Sequence, residues 1–494
     1  MKDTRRERKN NKTDKKVKKN ILVFSNGSFG DGSIAETVLQ ELHEFTDRDE
    51  FDIIYVANKE SLIPGGFKAD HVYSTPSILF NDPYVGPADT NQSIGAYFFN
   101  HMLNVKSVMD WANQTTLLVK EMYELYSPYK VVLHFSMLPL VMRLEFEEKG
   151  ILHLDKIPIY VFYYVPSIAN KTVPWVFDSR LRDRQYRIYS KSEEEKKVIS
   201  ESWDTILKRF TFSSPSSLFN SQKRKEFALR FLDDVNHLTM WPKSFIPPIK
   251  PISRGMNIVN VGLNMSSGGK TNKKVEKVLP KEIKAVLKAS KQMNKPVAFI
   301  SFGSFAKFLH LRALIPYIVQ QLSMSHSTIV HKTWKDEVDD KICSRALQDI
   351  NNNSRVSHAC HVYEGFISYD LISQEVSIVV GSGSLGLQSF SIKHQTPIMM
   401  VPIITEQYYW AKNYQHFTKI PYVDIVEAQS YPVEDQVKKA LDKIYTKGYG
   451  GAKTNVKPNV ERFLKKVSGE MMKRDGLLLA KTVMKERRGK KELK

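Results

Sequence analysis

Three short segments in the second half of the chain combine residue types suited to a phosphorylated, hydroxyl-rich ligand. Gly381-Ser382-Gly383-Ser384-Leu385-Gly386 lies between an apolar run and a helix-like stretch. Glycines let a backbone approach a ligand closely, and the free N–H groups of a helix's first turn attract phosphate. Phe299-Ile300-Ser301-Phe302-Gly303-Ser304 likewise ends an apolar run in small residues, and ligands of open α/β sheets lie beyond the carboxyl ends of strands. Glu406-Gln407, shortly after Pro402, falls at the same expected edge. A carboxylate that accepts beside an amide that both accepts and donates suits the vicinal hydroxyls of a sugar. Gly/Ser loops also serve simply to turn a strand into a helix, and Glu-Gln opens ordinary helices, so spacing alone leaves both readings open.

The first half offers aromatic groups. Tyr163, Tyr164 and Trp175 follow a strand-like run and would suit either a ligand-binding wall or core packing. Arg180-Leu181-Arg182-Asp183-Arg184-Gln185-Tyr186-Arg187 concentrates positive charge beyond them, as a solvated face or as a surface for anionic groups.

The elements that must position these residues read as alternating strands and helices. Ile21-Leu22-Val23-Phe24 is a continuous apolar run of the kind buried in parallel sheets. A glycine-punctuated loop follows, then Ile34, Val38, Leu39, Leu42 and Phe45 at helical spacing, with Ser33 placed to cap. Further strands are expected at 51–56, 130–133, 157–162, 257–262, 297–302, 327–330, 377–380 and 398–401, with a helix over 311–322 and an amphipathic helix after Pro458. Alternation on this scale predicts an α/β protein with parallel sheets covered on both faces.

At 494 residues the chain exceeds one hydrophobic core. Trp241-Pro242, Pro247-Pro248 and Pro251 mark a stiff extended connector. The expected plan is a basic, partly disordered tail over 1–20, a first domain over 21–240, a proline-rich linker over 241–256, a second domain over 257–457 and a basic helix and tail over 458–494. A loop is expected at 268–274.

Of the net charge of +20, residues 1–20 and 465–494 together carry +14, leaving +6 for the body. Such ends are either solvated or attach electrostatically to anionic lipid or nucleic acid. Two cysteines, Cys343 and Cys360, cannot build a disulfide framework or a four-thiolate zinc site, and no Cys/His cluster has ligand spacing. With no apolar signal segment after the basic start and no uninterrupted span, the expectation is a soluble, cytoplasmic protein, with peripheral membrane attachment as the further option.

In order and nearly in spacing, Leu279-Pro280-Lys281-Glu282-Ile283, Lys295 to Ser304, Gly365-Phe366-Ile367-Ser368, Val379 to Ser384, Pro397, Pro402 and Glu406-Gln407 resemble the donor-binding half of the UDP-glycosyltransferases of the GT-B fold. The glycine loop is also similar to the bacterial lipid-intermediate N-acetylglucosaminyltransferase branch. The resemblance spans nearly the whole chain except its ends, without one intact motif. It implies two Rossmann-like, doubly wound parallel-sheet domains facing a cleft, with a UDP-sugar held as co-substrate by the second and an acceptor by the first. No prosthetic group or catalytic metal is implied, because backbone donors and a helix N-terminus can stabilise the departing diphosphate.

Carried over by position, Phe366 would stack on the base. Gly303 and Ser304 would border the diphosphate, and Gly383, Ser384, Leu385 and Gly386 would donate to it. Glu406 and Gln407 would hold the sugar, and Tyr163 and Tyr164 would form a wall of the acceptor site. Ser382 stands where the family has a His, and Phe390 replaces the ribose-binding carboxylate, with Gln388 and Ser389 as nearby substitutes. Asp31 aligns with the family's catalytic His, and His134 aligns with its partner Asp. The two types thus look exchanged, and either could act as general base. Helix capping by Asp31 and core packing of His134 are the structural alternatives.

The expected activity is transfer of a hexose from a UDP-sugar to a hydroxyl of a small-molecule or lipid acceptor. The competing expectations are a non-catalytic GT-B module that binds or assembles, and a glycosyltransferase acting on nucleic acid.

Overall fold

The computed structural model describes residues 17–25, 29–58, 69–75, 105–134, 137–147, 156–163, 230–245, 255–262, 278–303, 309–333, 341–353, 360–402, 405–424, 432–445 and 456–485. Two parallel sheets organise them. The first contains β1 (Lys19–Ser25), β2 (Phe51–Asn58), β3 (His71–Thr75), β4 (Lys130–His134), β5 (Ile159–Tyr163), β6 (Asn236–Thr239) and β7 (Asn257–Asn260) in the order β3-β2-β1-β4-β5-β6-β7. The second contains β8 (Val297–Ser301), β9 (Ser327–Lys332), β10 (Cys360–Glu364), β11 (Ile378–Gly381) and β12 (Ile398–Met400) in the order β10-β9-β8-β11-β12. Every pairing within them is parallel.

Both orders run outward from the first strand in two directions, which is the doubly wound arrangement. The apolar runs seen in sequence are the central strands: Ile21 to Phe24, Val131 to Leu133 and Ile378 to Val380 are wholly buried, as strands covered on both faces must be. The helices are α1 (Phe29–Phe45), α2 (Val105–Tyr126), α3 (Leu138–Glu147), α4 (Lys281–Gln292), α5 (Leu309–Ser323), α6 (Lys341–Asn353), α7 (Tyr369–Glu375), α8 (Leu385–Lys393), α9 (Thr405–Thr418), α10 (Val433–Ile444), α11 (Pro458–Met472) and α12 (Leu478–Met484).

Two expectations are corrected. The strand expected to open the second domain, 257–260, is the edge of the first sheet. It pairs with β6 from Asn236–Asn257 to Thr239–Asn260, because the chain returns to complete that sheet before leaving it. Ser33 does not cap α1, which starts four residues earlier at Phe29. The amphipathic helix expected after Pro458 is α11, with Val460, Phe463, Leu464 and Val467 buried, and α12 follows it with Leu479, Ala480 and Val483 buried, so the basic residues of 465–485 sit on packed helices.

Those last helices tie the two sheets together. α11 packs on α8, α12 packs on α1, and α1 itself touches α8. The start of the expected connector is also anchored. Trp241 and Phe245 are buried, and the Phe245 ring stacks on Trp410 of α9 with centroids 5.2 Å apart. Glu470 of α11 accepts from the Ser244 N–H at 3.0 Å and from the Lys243 N–H. The residues at 246–254, the loop at 268–274 and the basic segment at 1–16 lie outside the described residues.

Candidate functional site

The glycine loop emerges at the point where the second sheet changes direction, between β8 and β11. Gly381 lies opposite Ser301 on one side and Met400 on the other. Strand spacing there tolerates only glycine: a Cβ on Gly381 would stand 2.5 Å from the Ser301 carbonyl oxygen and 2.5 Å from Leu387 Cδ2. Gly383 turns the chain with φ +79°, and a Cβ there would meet Met400 Sδ at 3.3 Å and the Gln407 carbonyl at 3.7 Å. The loop is therefore walled by β12 and by the first turn of α9.

Ser384 then occupies the N-cap of α8 without a side-chain capping bond, and the first intrahelical bond runs from the Gln388 N–H to the Ser384 carbonyl. The N–H groups of the first turn have no intrahelical partner, and the helix dipole makes this end attractive to an anion. Two residues past the end of β8, the strand beside β11, Gly303 lies in the left-handed region at φ +54°.

A second feature of the same edge follows β10. Gly365 has φ +149°, and a Cβ would press on the Tyr363 ring, 2.9 Å from its hydroxyl oxygen. Phe366 is 56% exposed, whereas Ile367 is 3% exposed and anchors the turn. Ser368 caps α7, accepting from the Leu371 N–H. β10 stands three strand positions from β11, about 14 Å along the edge, so an exposed aromatic ring and a free helix start lie at opposite ends of one ledge.

Sequence reasoning missed what lies beneath that ledge. Ser301 Oγ lies 3.1 Å from His331 Nδ1 and 2.9 Å from the Tyr369 hydroxyl, and His331 Nε2 donates to the Gly365 carbonyl at 2.8 Å. The available signal was polar: Ser301 and His331 each stand at or near the carboxyl end of an otherwise apolar run. Asp370 of α7 accepts from Lys393 Nζ at 2.9 Å and His394 Nε2 at 2.5 Å, locking the end of α8 to the helix that follows Phe366.

The remaining candidates separate by burial. Ser382 is 1% exposed, Gln407 2% and Gln388 0%; the Gln388 amide makes no hydrogen bond within the protein and lies inside α8's packed face rather than on the ledge. Phe390 is half-buried, with the Lys393 ammonium 5.7 Å from its ring centroid. Glu406 belongs to the first turn of α9 by its backbone, while Ser304 lies outside the described residues. Among the described residues no group of His, Cys, Asp and Glu is placed to hold a metal ion, and no helix is long and apolar enough to cross a membrane.

In the first sheet the corresponding switch lies between β1 and β4, where Phe24 pairs with Leu133. His134 ends β4 one step beyond that pair, and Asp31 is the third residue of α1, which leaves β1 at the same edge. His134 is 1% exposed, with its ring 5.3 Å from that of Phe162. Burial pushes its pKa down to about 3, so the imidazole is neutral near pH 7 and does not face an open surface.

Of the two readings of Tyr163, its surroundings favour core packing. It is wholly buried, and its hydroxyl donates to His237 Nδ1 at 2.9 Å while His237 Nε2 donates to the Leu232 carbonyl at 2.8 Å. A strand end covered on both faces turns its aromatic into the core. Tyr164, Trp175 and the arginine-rich segment at 180–187 lie outside the described residues.

No family model and no curated protein matches the chain. Solved structures do. The kitacinnamycin glycotransferase aligns with a TM-score of 0.56 at 12% identity, covering 94% of this chain and 98% of that one. The spinosyn forosaminyltransferase SpnP aligns with 0.51 at 10% identity, covering 94% and 97%. The calicheamicin glycosyltransferase CalG4 aligns with 0.51 at 11% identity, covering 94% and 96%. Two doubly wound parallel sheets in one chain, shared over nearly its whole length with these structures, give it the GT-B fold.

Proposed function

We propose that the chain is a glycosyltransferase that moves a hexose from a UDP-sugar to an acceptor hydroxyl. The observation that carries this reading is the glycine loop at the β8/β11 switch, where Gly381 leaves no room for a side chain, Gly383 turns the chain at φ +79° and the first turn of α8 offers main-chain N–H groups. In this reading Phe366 stacks on the base, while the diphosphate lies between Gly303-Ser304 and the segment Gly383-Ser384-Leu385-Gly386. Glu406 and Gln407 hold the sugar.

The acceptor oxygen attacks C1 of the sugar, the bond from C1 to the diphosphate oxygen breaks, and the hydroxyl proton passes to a carboxylate. Asp31 and His134 are the proposed base pair: Asp31 takes that proton, and His134, at the end of β4, is buried and neutral. The departing UDP keeps the bonding electron pair, and backbone donors stabilise its charge without reorganising. The acceptor is a small molecule or lipid, and the basic ends would bring the enzyme to anionic surfaces.

The test is titration calorimetry and thermal shift with UDP, UDP-glucose, UDP-N-acetylglucosamine and dTDP-glucose. The expected result is saturable binding that raises the melting temperature and disappears in Gly383→Trp. Absence of binding by all four removes the reading. Phe390 in the place of the ribose-binding carboxylate favours a second one, a GT-B module that has lost transfer. Nucleotide binding without turnover of any sugar nucleotide would establish it.

A further inference from the structure

The hydrogen-bond chain under the ledge has a single direction. The Gly365 carbonyl can only accept, so His331 Nε2 carries a proton and donates to it across 2.8 Å. Burial holds the His331 pKa below its usual value, which leaves Nδ1 as an acceptor for the Ser301 hydroxyl at 3.1 Å. With that proton committed, Ser301 Oγ accepts from the Tyr369 hydroxyl at 2.9 Å. The rings fix the imidazole as well: it lies 6.1 Å from Phe299 at an interplanar angle of 24° and 6.2 Å from Tyr369 at 86°.

Each end of the chain meets a part of the ledge. Gly365, whose positive φ excludes other residues, immediately precedes the exposed Phe366, and Ile367 on the far side is buried. The peptide before the ring is thus pinned by His331 and the residue after it by the core. At the other end, Tyr369 OH is 3.8 Å from where a Cβ on Gly303 would stand, and Thr333 Oγ1 donates to the Gly303 carbonyl at 2.5 Å.

We propose that His331 is a positioning residue for the nucleotide: by holding the Gly365 carbonyl it keeps the Phe366 ring in one orientation as the stacking platform for the base. His331 touches no substrate, and the inference rests on the donor-site reading above. A histidine that merely filled the core would contribute stability without governing the ring.

The test places 4-fluorophenylalanine at position 366 alone and reads its 19F resonance together with the UDP affinity by calorimetry. His331→Phe keeps the ring volume but loses both hydrogen bonds. It is expected to weaken UDP binding by about tenfold, the scale of one lost hydrogen bond, and to broaden or split the single 19F line. His331→Gln, whose amide can both donate and accept, is expected to restore most of each. The 15N shifts of His331 should report the Nε2–H tautomer; an Nδ1–H tautomer overturns the assignment.

Unchanged affinity and an unchanged line in His331→Phe overturn the proposal while leaving the donor site intact. Failure of the unmutated protein to bind UDP or dTDP removes the donor site and this inference with it. Should His331→Phe not fold, His331→Leu, a smaller side chain that likewise takes the donor away from the Gly365 carbonyl, is read the same way, and unchanged affinity and line shape there also overturn it.

Discussion

Glu41 Oε1 lies 2.7 Å from Arg474 Nη2 although 433 residues separate the two in sequence. Both side chains are nearly inaccessible, at 1% and 6% exposure. The second carboxylate oxygen accepts from the Leu479 N–H at 3.0 Å, and Arg474 Nε donates to the Val261 carbonyl at 2.5 Å. One ion pair thus joins α1, the segment leaving β7, and the link between α11 and α12. Removing one partner strands a buried charge, which costs about 3–5 kcal/mol. Arg474→Met is therefore expected to lower the urea midpoint strongly, and the double variant Arg474→Met with Glu41→Gln to recover part of the loss. Equal midpoints for wild type and Arg474→Met would show the pair to be energetically idle.

That pair shows where the sequence was opaque. Continuous apolar runs such as Ile21 to Phe24 and Ile378 to Val380 announce buried parallel strands because both faces demand the same residue class. β6, with His237, and β10, with His361 and Glu364, carry polar residues at strand positions and escape that signal. Which sheet 257–260 joins depends on hydrogen bonding to Asn236–Thr239, a long-range choice that Asn-Ile-Val-Asn cannot encode alone. The glycine loop was legible because its φ angles and close approaches require glycine locally. The chain from Tyr369 to Gly365 was not, since its members lie on separate strands and turns.

Gly381 and Gly383 should fail in different ways. A Cβ at Gly381 would collide with the Ser301 backbone at 2.5 Å, forcing β8 and β11 apart, and overpacking of that kind costs about 1–3 kcal/mol or more. Gly383→Ala meets only a flexible thioether at 3.3 Å but is held at φ +79°, a strain of about 1–2 kcal/mol. Gly381→Ala is expected to lower the melting temperature more, whereas Gly383→Ala is expected to lose UDP affinity out of proportion to its stability. Thermal melts paired with calorimetry separate them, and a full-affinity Gly383→Ala would mean that the loop backbone does not approach the ligand.

Acid should destabilise the fold well above the carboxylate range. Burial lowers the pKa of His134 to about 3 and of His237 and His326 to about 4, with the Lys295 charge assisting at His326. Each native value lies below the unfolded value of about 6.5, so the unfolded chain takes up protons first as the pH falls. Stability is thus fully present above about pH 6.5 and drains away toward pH 4, by about 1.4 kcal/mol per pH unit for each histidine. Urea midpoints at pH 7.5, 6 and 5 should fall steadily, and His237→Asn should flatten the decline by about a third of the three-histidine slope. A midpoint that rises on acidification would contradict the burial of these imidazoles.

Tyr163 provides the sharpest contrast between packing and recognition. Its hydroxyl is spent on His237 Nδ1 at 2.9 Å inside the first sheet, and burial pushes its pKa up, so it stays a neutral donor. Tyr163→Phe leaves the His237 acceptor unsatisfied in the interior, at a cost of about 1–3 kcal/mol, while the ring keeps its volume. The expected outcome is a lower unfolding midpoint with UDP affinity unaltered and, once an acceptor is found, an unaltered acceptor KM. A raised acceptor KM at unchanged stability would return Tyr163 to the acceptor wall, because a side chain that meets a ligand must be reachable from the cleft in at least one populated state.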